Sequence, residues 1–462
     1  LLPAPISDDC LLCARFEEGK VLLGKKHISL IGAGLSGPVM AQYLLNQNYC
    51  LDIYERRSDM RIESQSAGRS INLALSKRGI EALRNIGIYD DLKSELLPMK
   101  GRMIHDLGGK TNLQPYGQKH DEVIYSVSRA FLNKTLMNHI EKSDYVKIHF
   151  NYDLEKIDLN KSQLIFKNAQ KRQFKQVMGS DGSSSCIRDF INLETDINFK
   201  KKPLGHGYKE LTIPPSKSGG FRMKSDALHI WPRGEFMLIA LPNTDCSFTC
   251  TLFMPMDGAT SFSNVTSTDE INDLFNKYFH DITLLNPHFI DEYQQNKVSP
   301  LYTVYCDKYH YQDRLVIFGD SAHAIVPFFG QGMNASFQDC TVLDSLIRRF
   351  DGDWAKVFSK FSEIHVQNGH AIANMALENY IEMRESVNND LFKKRRRLEF
   401  QLENKFRGRF VPRYSMVSFH TIPYHEVFHR GSIQLKLVND YLSGSITKAD
   451  LHDSIMEKLS PI

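Results

Sequence analysis

The sequence predicts an α/β protein in three parts: a parallel-sheet domain, an antiparallel-sheet domain and a helical C-terminal region. A buried strand at 27–31, a glycine-rich turn and a helical pattern lead to a second strand at 51–54, the unit that opens a parallel sheet. Between 228 and 253, three strand-like runs are separated by short turns, which is typical of an antiparallel sheet. Beyond about residue 335 the pattern is mainly helical.

Composition limits the class of protein. With 462 residues, of which 42% are hydrophobic, the chain can bury a large core in two or three domains. A net charge of +3 is small for this length and argues neither for nor against an anionic partner. We expect no nucleic-acid partner. No run approaches the roughly 18 apolar residues of a membrane span. The first nine residues lack the features of a secretory signal, so we expect a cytoplasmic protein.

Cysteine usage indicates a reducing compartment. Eight cysteines are scattered along the chain, too few for a disulfide scaffold. Cys10 and Cys13 have the spacing of a metal or redox pair, but no second pair completes a site. We therefore expect two unpaired thiols there and no metal site elsewhere.

The first chemical motif is the glycine-rich turn after the first strand. Gly32, Gly34 and Gly37 permit a tight turn and let backbone N–H groups approach a pyrophosphate at a helix N-terminus. Glu55 ends the second strand, where a carboxylate can hold ribose hydroxyls. Arg56 and Arg57 are candidate phosphate ligands, although surface charge is the simpler explanation for at least one of them. The strand before and the helix after the turn favour dinucleotide binding.

A second motif follows the strand-like segment 313–319. Asp320 stands at the end of that strand, where its carboxylate suits the hydroxyls of a polyol chain. Further on, Gly332, Met333 and Asn334 open a helix whose positive end favours a developing anion such as reduced flavin. We find no second glycine-rich fingerprint, so the pattern predicts one bound dinucleotide.

Two further segments are polar. In the segment 179–188, Asp181 or a serine can cap a following helix. The basic run 393–397 lies in a helical stretch, and a solvated helix face explains it better than nucleic-acid or membrane binding. We assign the basic run no function.

In this order, the three glycine-containing segments resemble the single-component flavoprotein aromatic hydroxylases of the p-hydroxybenzoate hydroxylase type. Finer motifs resemble the branch of that family that hydroxylates kynurenine, and the resemblance extends from about residue 26 to about residue 430. These motifs lie at 68–76, 78–79, 101–105, 114–117, 229–232, 326–334, 378–380 and 412–416.

The resemblance implies a fold and an activity. It implies a Rossmann-like FAD-binding domain, with NADPH as co-substrate, that uses O2 to hydroxylate L-kynurenine to 3-hydroxykynurenine by way of a flavin hydroperoxide. Such a reaction belongs to tryptophan degradation toward quinolinate and NAD. The aromatic amine already activates the ring, so no catalytic side chain is expected. The resemblance adds Ala74, Arg129 and Asp181 to the cofactor-binding residues, and a homodimer is left open.

The resemblance also implies a substrate site. Arg102, Tyr116 and Tyr414 would hold the amino-acid carboxylate, and Asn379, which shares a helical face with apolar residues, would lie in the pocket. A turn between Gly108 and Gly109 pairs residue 102 with residue 115 and so brings Tyr116 near Arg102. The remaining pocket residues are apolar and would enclose the ring: Leu228, Leu241, Phe253, Pro327, Phe329 and Met383.

The predicted organisation has five ranges, and two other functions stay open. We expect an unassigned extension (1–25), the two parts of the FAD-binding domain (26–190 and 301–385), the antiparallel-sheet substrate domain (191–300) and the helical region (386–462). One alternative is another flavin hydroxylase, acting on a phenolic or quinone-precursor substrate that would not need Arg102, Tyr116 and Tyr414 together. The other is a flavin-binding protein that does not turn over.

Overall fold

A computed structural model describes residues 26–62, 72–195, 199–386 and 390–462. The cysteine pair at 10 and 13 and the start of the motif at 68–76 lie outside the described residues. The strands are β1 (His27–Ile31), β2 (Cys50–Glu55), β3 (Asn72–Leu75), β4 (Leu97–Met99), β5 (Gly101–His105), β6 (Thr111–Pro115), β7 (Ile124–Ser128), β8 (Val146–Phe150), β9 (Leu154–Asp158), β10 (Gln163–Phe166), β11 (Lys171–Gln173), β12 (Gln176–Gly179), β13 (Phe199–Ile213), β14 (Leu228–Arg233), β15 (Phe236–Pro242), β16 (Phe248–Pro255), β17 (Ser299–Cys306), β18 (His310–Tyr311) and β19 (Leu315–Ile317).

Helices cover the sheets and form the C-terminal part. They are α1 (Ser36–Leu45), α2 (Lys77–Asn85), α3 (Tyr89–Leu92), α4 (Arg129–Ile140), α5 (Cys186–Thr195), α6 (Thr268–Tyr278), α7 (His280–Leu285), α8 (Phe289–Gln295), α9 (Asp320–His323), α10 (Gly332–Arg349), α11 (Trp354–Ile381), α12 (Asp390–Lys405), α13 (Arg413–Phe419), α14 (Tyr424–Leu442) and α15 (Lys448–Lys458). Two 3-10 turns (Lys93–Glu95 and Pro327–Phe329) and a π-helical turn (Glu382–Ser386) complete the list.

The first sheet has six strands in the order β18-β19-β12-β1-β2-β8. All its strands are parallel except the edge strand β18, which runs antiparallel to β19. Every residue of β1 and β2 is buried, as expected for strands covered by helices on both faces. The tight turn after β1 needs glycine, because Gly32 has a φ of +102° and a Cβ there would overlap the carbonyl of Ser180. The predicted parallel-sheet domain is confirmed.

The second sheet has seven strands in the order β17-β13-β16-β15-β14-β5-β6. Its central strands β14, β15 and β16 lie within two residues of the predicted runs, but β14 pairs with β5 in parallel. The sheet therefore takes strands from 101–115 and from 299–306, on both sides of the predicted 191–300 range. The domain boundaries themselves remain a prediction.

The predicted register of the β5–β6 hairpin was wrong by one residue. Arg102 pairs with Gln114 rather than with residue 115, and the amide of Tyr116 donates to the carbonyl of Lys100 at 3.0 Å. Side chains alternate between the two faces of a strand, so in this register Arg102 and Tyr116 lie on the same face. The predicted register would have put them on opposite faces.

The C-terminal part is helical, as predicted. The helix α11 is 28 residues long and packs against α14. The helices α13 and α15 in turn pack against α14. Within the four described ranges, none of the helices combines the length and the apolar character that crossing a membrane requires.

Two buried carboxylates, Asp52 of β2 and Asp339 of α10, each accept hydrogen bonds from two histidines. His27 and His149 donate to Asp52 at 2.9 and 2.7 Å. Burial alone would raise the pKa of Asp52, but the hydrogen bonds from His149 and His27 hold this pKa well below its usual range. These contacts tie β1, β2 and β8 together.

The second cluster is centred on Asp339 of α10. His323 and His365 donate to it at 2.6 and 2.7 Å, and the amide of Gly319 donates at 2.8 Å. Burial opposes the charge, yet His323 and His365 keep the pKa of Asp339 well below its usual range. One carboxylate thus fixes the turn that leads into α9 against α10 and α11.

Candidate functional site

A cavity of about 510 Å³ lies between the two sheets and the start of α10. One end is lined by the turn after β1, the end of β2 and the polar turn before α5. The other end is lined by the cavity-facing strands of the second sheet, the 3-10 turn at 327–329 and α13. The three segments that the sequence singled out therefore meet at one cavity.

The turn after β1 forms the first wall of the cavity. Gly32 and Gly34 line it, and a Cβ at Gly34 would meet no protein atom within 4 Å, so a ligand can come close to the backbone there. The amide of Ala33 donates to Glu55 at 2.9 Å, and Arg57 donates to the other carboxylate oxygen at 2.9 Å. Glu55 and Arg57 both line the cavity, which suits the hydroxyls and phosphates of a nucleotide.

Gly37 does not line the cavity. Its missing side chain instead lets α1 lie against the turn, because a Cβ at this position would overlap the carbonyl oxygen of Gly32. Pro38 is buried in the first turn of α1, where a missing N–H costs no helical hydrogen bond. Gly37 thus shapes the turn rather than contacting a ligand.

Two aspartates bound the middle of the cavity. Asp181 accepts the amide of Cys186 at 2.8 Å and the hydroxyl of Ser321 at 2.9 Å, and burial raises the pKa of Asp181. Both candidates for the cap of α5 contribute: Asp181 accepts the amide of Cys186, and the hydroxyl of Ser185, directly before the helix, accepts the amide of Arg188 at 3.0 Å. Asp320 is exposed to the cavity and has no hydrogen-bond or ion-pair partner among the residues that the structure describes. Its carboxylate is available to the hydroxyls of a ligand.

The N-terminus of α10 points to the same cavity. Gly332 and Met333 line it, so the positive end of an 18-residue helix faces any ligand bound there. Asn334 is buried and does not line the cavity. Its side chain donates to the carbonyls of Ala74 and Gly330 at 2.8 Å each, and so fixes the lining residue Ala74 against the turn before α10.

Arg129 begins α4 at the rim of the cavity. It lines the cavity, its side chain is exposed, and within the described ranges it makes neither an ion pair nor a hydrogen bond. A free cation at this position suits an anionic ligand.

The far end of the cavity carries a buried cation and two stacked phenols. Arg102, Tyr116 and Tyr414 all line it. The rings of Tyr116 and Tyr414 stack at 4.8 Å with an interplanar angle of 6°, and the Arg102 guanidinium lies 5.0 Å from the centre of the Tyr414 ring. The Tyr116 hydroxyl is buried and has no hydrogen-bond partner among the described residues, so it can serve a ligand.

The charge of Arg102 is secured by its neighbours. Burial alone would lower the pKa of Arg102, but Tyr414 and Glu382 more than offset this and raise it. Burial also raises the pKa values of Tyr116 and Tyr414, so both phenols stay neutral donors. A cation beside two neutral hydroxyls suits a carboxylate.

Asn379 lies behind Arg102 rather than in the cavity lining. Its oxygen accepts from Arg102 at 3.3 Å, and its nitrogen donates to the carbonyl of Phe328 at 2.6 Å. The helical spacing with apolar residues correctly predicted that Asn379 is buried, but its contacts place it next to the cation.

An apolar slot adjoins this polar end. The six apolar residues that the sequence named all line the cavity: Leu228, Leu241, Phe253, Pro327, Phe329 and Met383. Phe329 extends the aromatic stack, with its ring 5.6 Å from that of Tyr414. Sequence reasoning missed Ile239 and Thr251, which face the slot from the same strands as the predicted residues and which period-two alternation would have found.

Sequence reasoning also missed Glu382, which contacts Arg102 at 3.3 Å. Its position three residues after Asn379, on the same helical face, could have indicated that Glu382 lies close to Asn379. Contact across 280 residues of chain was not readable from the sequence.

Residues 25–356 match a protein-family model described as an FAD binding domain. Among curated relatives, the kynurenine 3-monooxygenase of Myxococcus xanthus is 40% identical over 91% of this chain and 91% of its own length. That of Sus scrofa is 40% identical over 90% and 88%, and that of Dictyostelium discoideum is 39% identical over 93% and 97%.

Solved structures share the fold. The structure of 2-methyl-3-hydroxypyridine-5-carboxylic acid oxygenase has a TM-score of 0.64 at 15% identity and covers 78% of this chain and 93% of its own. PqsL from Pseudomonas aeruginosa, a probable FAD-dependent monooxygenase, has a TM-score of 0.59 at 15% identity and covers 78% and 97%. The domain and the fold define an FAD-dependent monooxygenase. Within this class, the chain belongs to the kynurenine 3-monooxygenase family.

Proposed function

We propose that this protein hydroxylates L-kynurenine to 3-hydroxykynurenine, consuming NADPH and O2 and releasing NADP+ and water. The observation that carries the proposal is one continuous cavity with a dinucleotide-binding wall, an apolar slot and a buried guanidinium at the far end. Kynurenine has matching parts: an aromatic ring for the slot and an amino-acid carboxylate for Arg102. Phenolic and quinone-precursor substrates lack the amino-acid end and leave Arg102 without a partner.

The residues present fit FAD. Gly32 and Gly34 leave the backbone open to a pyrophosphate, Glu55 offers a carboxylate to ribose, and Asp320 offers a free carboxylate to the ribityl hydroxyls. The N-terminus of α10 would stabilise negative charge on the ring system. When bound, FAD supplies the redox chemistry, accepting electrons from NADPH and activating O2.

This chain's own residues bind and orient the substrate. Arg102 and the free hydroxyl of Tyr116 would hold the carboxylate, and the slot walls, including Phe253 and Leu241, would fix the plane of the ring. The aromatic amine of kynurenine already donates electrons to the ring carbon that is hydroxylated. No side chain therefore has to remove a proton before the oxygen atom is transferred.

The slot also excludes water. Leu241, Phe253, Phe329 and Met383 are each less than a tenth exposed, so a bound aromatic ring would fill the space that solvent could otherwise enter. Excluding water would keep the activated oxygen available for transfer to the ring, because contact with water favours its loss as hydrogen peroxide. The apolar walls thus contribute to the yield of hydroxylated product as well as to binding.

The test is the reaction itself. The purified yellow protein is mixed with NADPH under air, with and without L-kynurenine, and NADPH oxidation is followed while the product is identified by mass and by chromatography. We expect kynurenine to accelerate NADPH oxidation and one oxygen atom to appear on the ring. A colourless protein that does not bind FAD would contradict the cofactor assignment. A yellow protein that ignores kynurenine would contradict the substrate.

We also propose that the protein works in the cytoplasm. The six cysteines within the described residues are all free, as expected in a reducing compartment. A homodimer stays a prediction, which sedimentation of the holoenzyme would check.

A further inference from the structure

Two side chains at the end of α11 accept hydrogen bonds from Arg102, outside the cavity lining. One terminal nitrogen of its guanidinium donates to Asn379 and the other to Glu382, each at 3.3 Å. Neither partner lines the cavity. Asn379 is fixed by its bond to the carbonyl of Phe328, whereas the side chain of Glu382 is 31% exposed. Of the two partners, Glu382 is therefore the one that can move away from Arg102.

Glu382 is shared between two arginines. Its second oxygen accepts from Arg395 of α12 at 3.4 Å. Arg395 belongs to the basic run 393–397, which the sequence predicted to be a solvated helix face. The structure instead turns part of that run toward the substrate end, because Arg396 also donates to the carbonyl of Tyr116 at 2.8 Å.

The charges along this row alternate: Arg102 positive, Glu382 negative, Arg395 positive. A carboxylate divided between two cations neutralises neither completely. Without Arg395, both oxygens of Glu382 would be free to turn to Arg102 in the strong two-pronged geometry of an arginine–carboxylate pair. A substrate carboxylate would then have to displace a stronger pair to reach the guanidinium.

We propose that Glu382 is an internal competitor of the substrate's carboxylate for Arg102, and that Arg395 restrains it. The inference rests on the proposed function, in which Arg102 binds that carboxylate. When the substrate arrives, Glu382 gives up Arg102 and remains paired with Arg395. Small anions such as chloride have no ring for the slot to hold and compete less well with Glu382, so the pair favours a carboxylate whose ring the slot also binds.

Substitutions of Arg395 and of Glu382, which contact each other, should change the affinity for L-kynurenine in different directions. Arg395→Met frees Glu382 to bind Arg102 and should weaken L-kynurenine binding to the holoenzyme by about tenfold. Glu382→Gln keeps an oxygen for Arg102 but removes the competing charge, so binding should be as tight as in the unmodified protein or up to about tenfold tighter. In the Glu382→Gln background, Arg395→Met should have no effect. Dissociation constants come from titrating the flavin absorbance of each holoenzyme with L-kynurenine.

Chloride provides a readout that a purely structural role would not change. Increasing chloride at constant ionic strength should raise the apparent dissociation constant of L-kynurenine more steeply in Glu382→Gln than in the unmodified protein, because Arg102 is then open to small anions. Arg397→Met is the matched control. Arg397 belongs to the same basic run, is exposed, and has no partner among the described residues, so its loss should change neither measurement.

The outcomes separate this inference from the proposed function. If the unmodified holoenzyme does not bind L-kynurenine, the proposed function fails. If it binds L-kynurenine but Glu382→Gln weakens binding, or Arg395→Met weakens it equally with and without Glu382, the competitor role is wrong. Arg395→Lys, which keeps the charge, should bind within about threefold of the unmodified protein and so guards against a folding artefact of Arg395→Met.

Discussion

At the scale of single residues, the polar side chains of the site fall into two groups: those that hydrogen-bond to protein atoms and those that have no such partner among the described residues. Asn334 and Asp181 have filled their hydrogen bonds with protein groups, and each holds a loop in place. Asp320, Arg129 and the hydroxyl of Tyr116 lack partners among the described residues. Polar groups without partners at a cavity are the ones that a ligand satisfies.

Arg102→Ala should weaken L-kynurenine binding by about 2–5 kcal/mol, since the carboxylate loses a charged and largely desolvated partner. FAD should remain bound, because Arg102 lies at the far end of the cavity. Titration of the yellow variant with L-kynurenine measures the loss, and its flavin spectrum is the control. An unchanged dissociation constant would remove Arg102 from the substrate site.

Asp320→Asn should raise the dissociation constant of FAD by about tenfold, because a charge-assisted hydrogen bond to a ligand hydroxyl becomes a neutral one. The melting temperature of the FAD-free protein should not fall, since Asp320 has no hydrogen bond or ion pair with the described residues to lose. Flavin fluorescence quenching and thermal unfolding of the FAD-free protein measure the two quantities. A fall in melting temperature with unchanged FAD affinity would contradict the role.

At the scale of elements, the cofactor wall depends on two helix N-termini and one turn. α1 and α10 both begin at the cavity, so the positive ends of both helix dipoles face a ligand bound there. The glycines in these turns serve different purposes. Gly34 opens space to the ligand, whereas Gly37 opens space to the protein's own backbone.

Substituting these two glycines by alanine should therefore have different effects. Gly34→Ala should fold normally but lose FAD affinity, because the added methyl group meets no protein atom and projects where the backbone approaches the ligand. Gly37→Ala should lower the free energy of unfolding of the FAD-free protein by about 1–3 kcal/mol, because the added methyl group overlaps the Gly32 carbonyl. Urea unfolding of both FAD-free variants distinguishes the cases. Equal destabilisation of the two would refute the distinction.

At the scale of the whole molecule, the chain crosses repeatedly between the two largest of the four sheets that the described residues form. The strands β5 and β6 precede most of the first sheet in sequence, yet they complete the second. The buried clusters around Asp52 and Asp339 then connect distant strands and helices through hydrogen bonds from histidines to a carboxylate. Such clusters make the fold sensitive to acid, since protonating the carboxylate removes the charged acceptor of the histidines' hydrogen bonds.

Asp52→Asn should lower the free energy of unfolding at pH 7 by about 3 kcal/mol, because two histidines lose a buried partner. The folded-state pKa of Asp52 is lowered. The stabilisation that the ionised Asp52 contributes to the folded protein is therefore fully present above the unfolded-state pKa of about 4. It is lost as the pH falls toward the folded-state pKa. The difference in the free energy of unfolding between the unmodified protein and Asp52→Asn, measured by urea unfolding, should become smaller below pH 4. A gap that stays constant from pH 7 to pH 3 would contradict this linkage.

Much of the fold and the cofactor wall could be predicted from the sequence, because the signals are local. Alternation and burial periodicity indicated β14, β15 and β16, and glycine spacing after a buried strand indicated the first turn of the cofactor wall. The predicted apolar slot residues all line the cavity. Their roles in binding stay predictions until the variants are measured.

Other features depended on contacts between distant parts of the chain. The hairpin register differed by one residue from the prediction, and that shift decides whether Arg102 and Tyr116 share a face. The basic run was predicted to be a solvated surface, but Arg395 and Arg396 reach the substrate end.

The sequence by itself determined the class of fold, the three cofactor segments and the apolar character of the slot. Each of these depends on residue type and spacing within a short window. Only the tertiary structure decided that Glu382 and Arg395 stand in line with Arg102, and that Asp339 joins two histidines. The physical reason is that charges interact through space, and the partner of a charge is set by how distant segments pack rather than by their spacing along the chain.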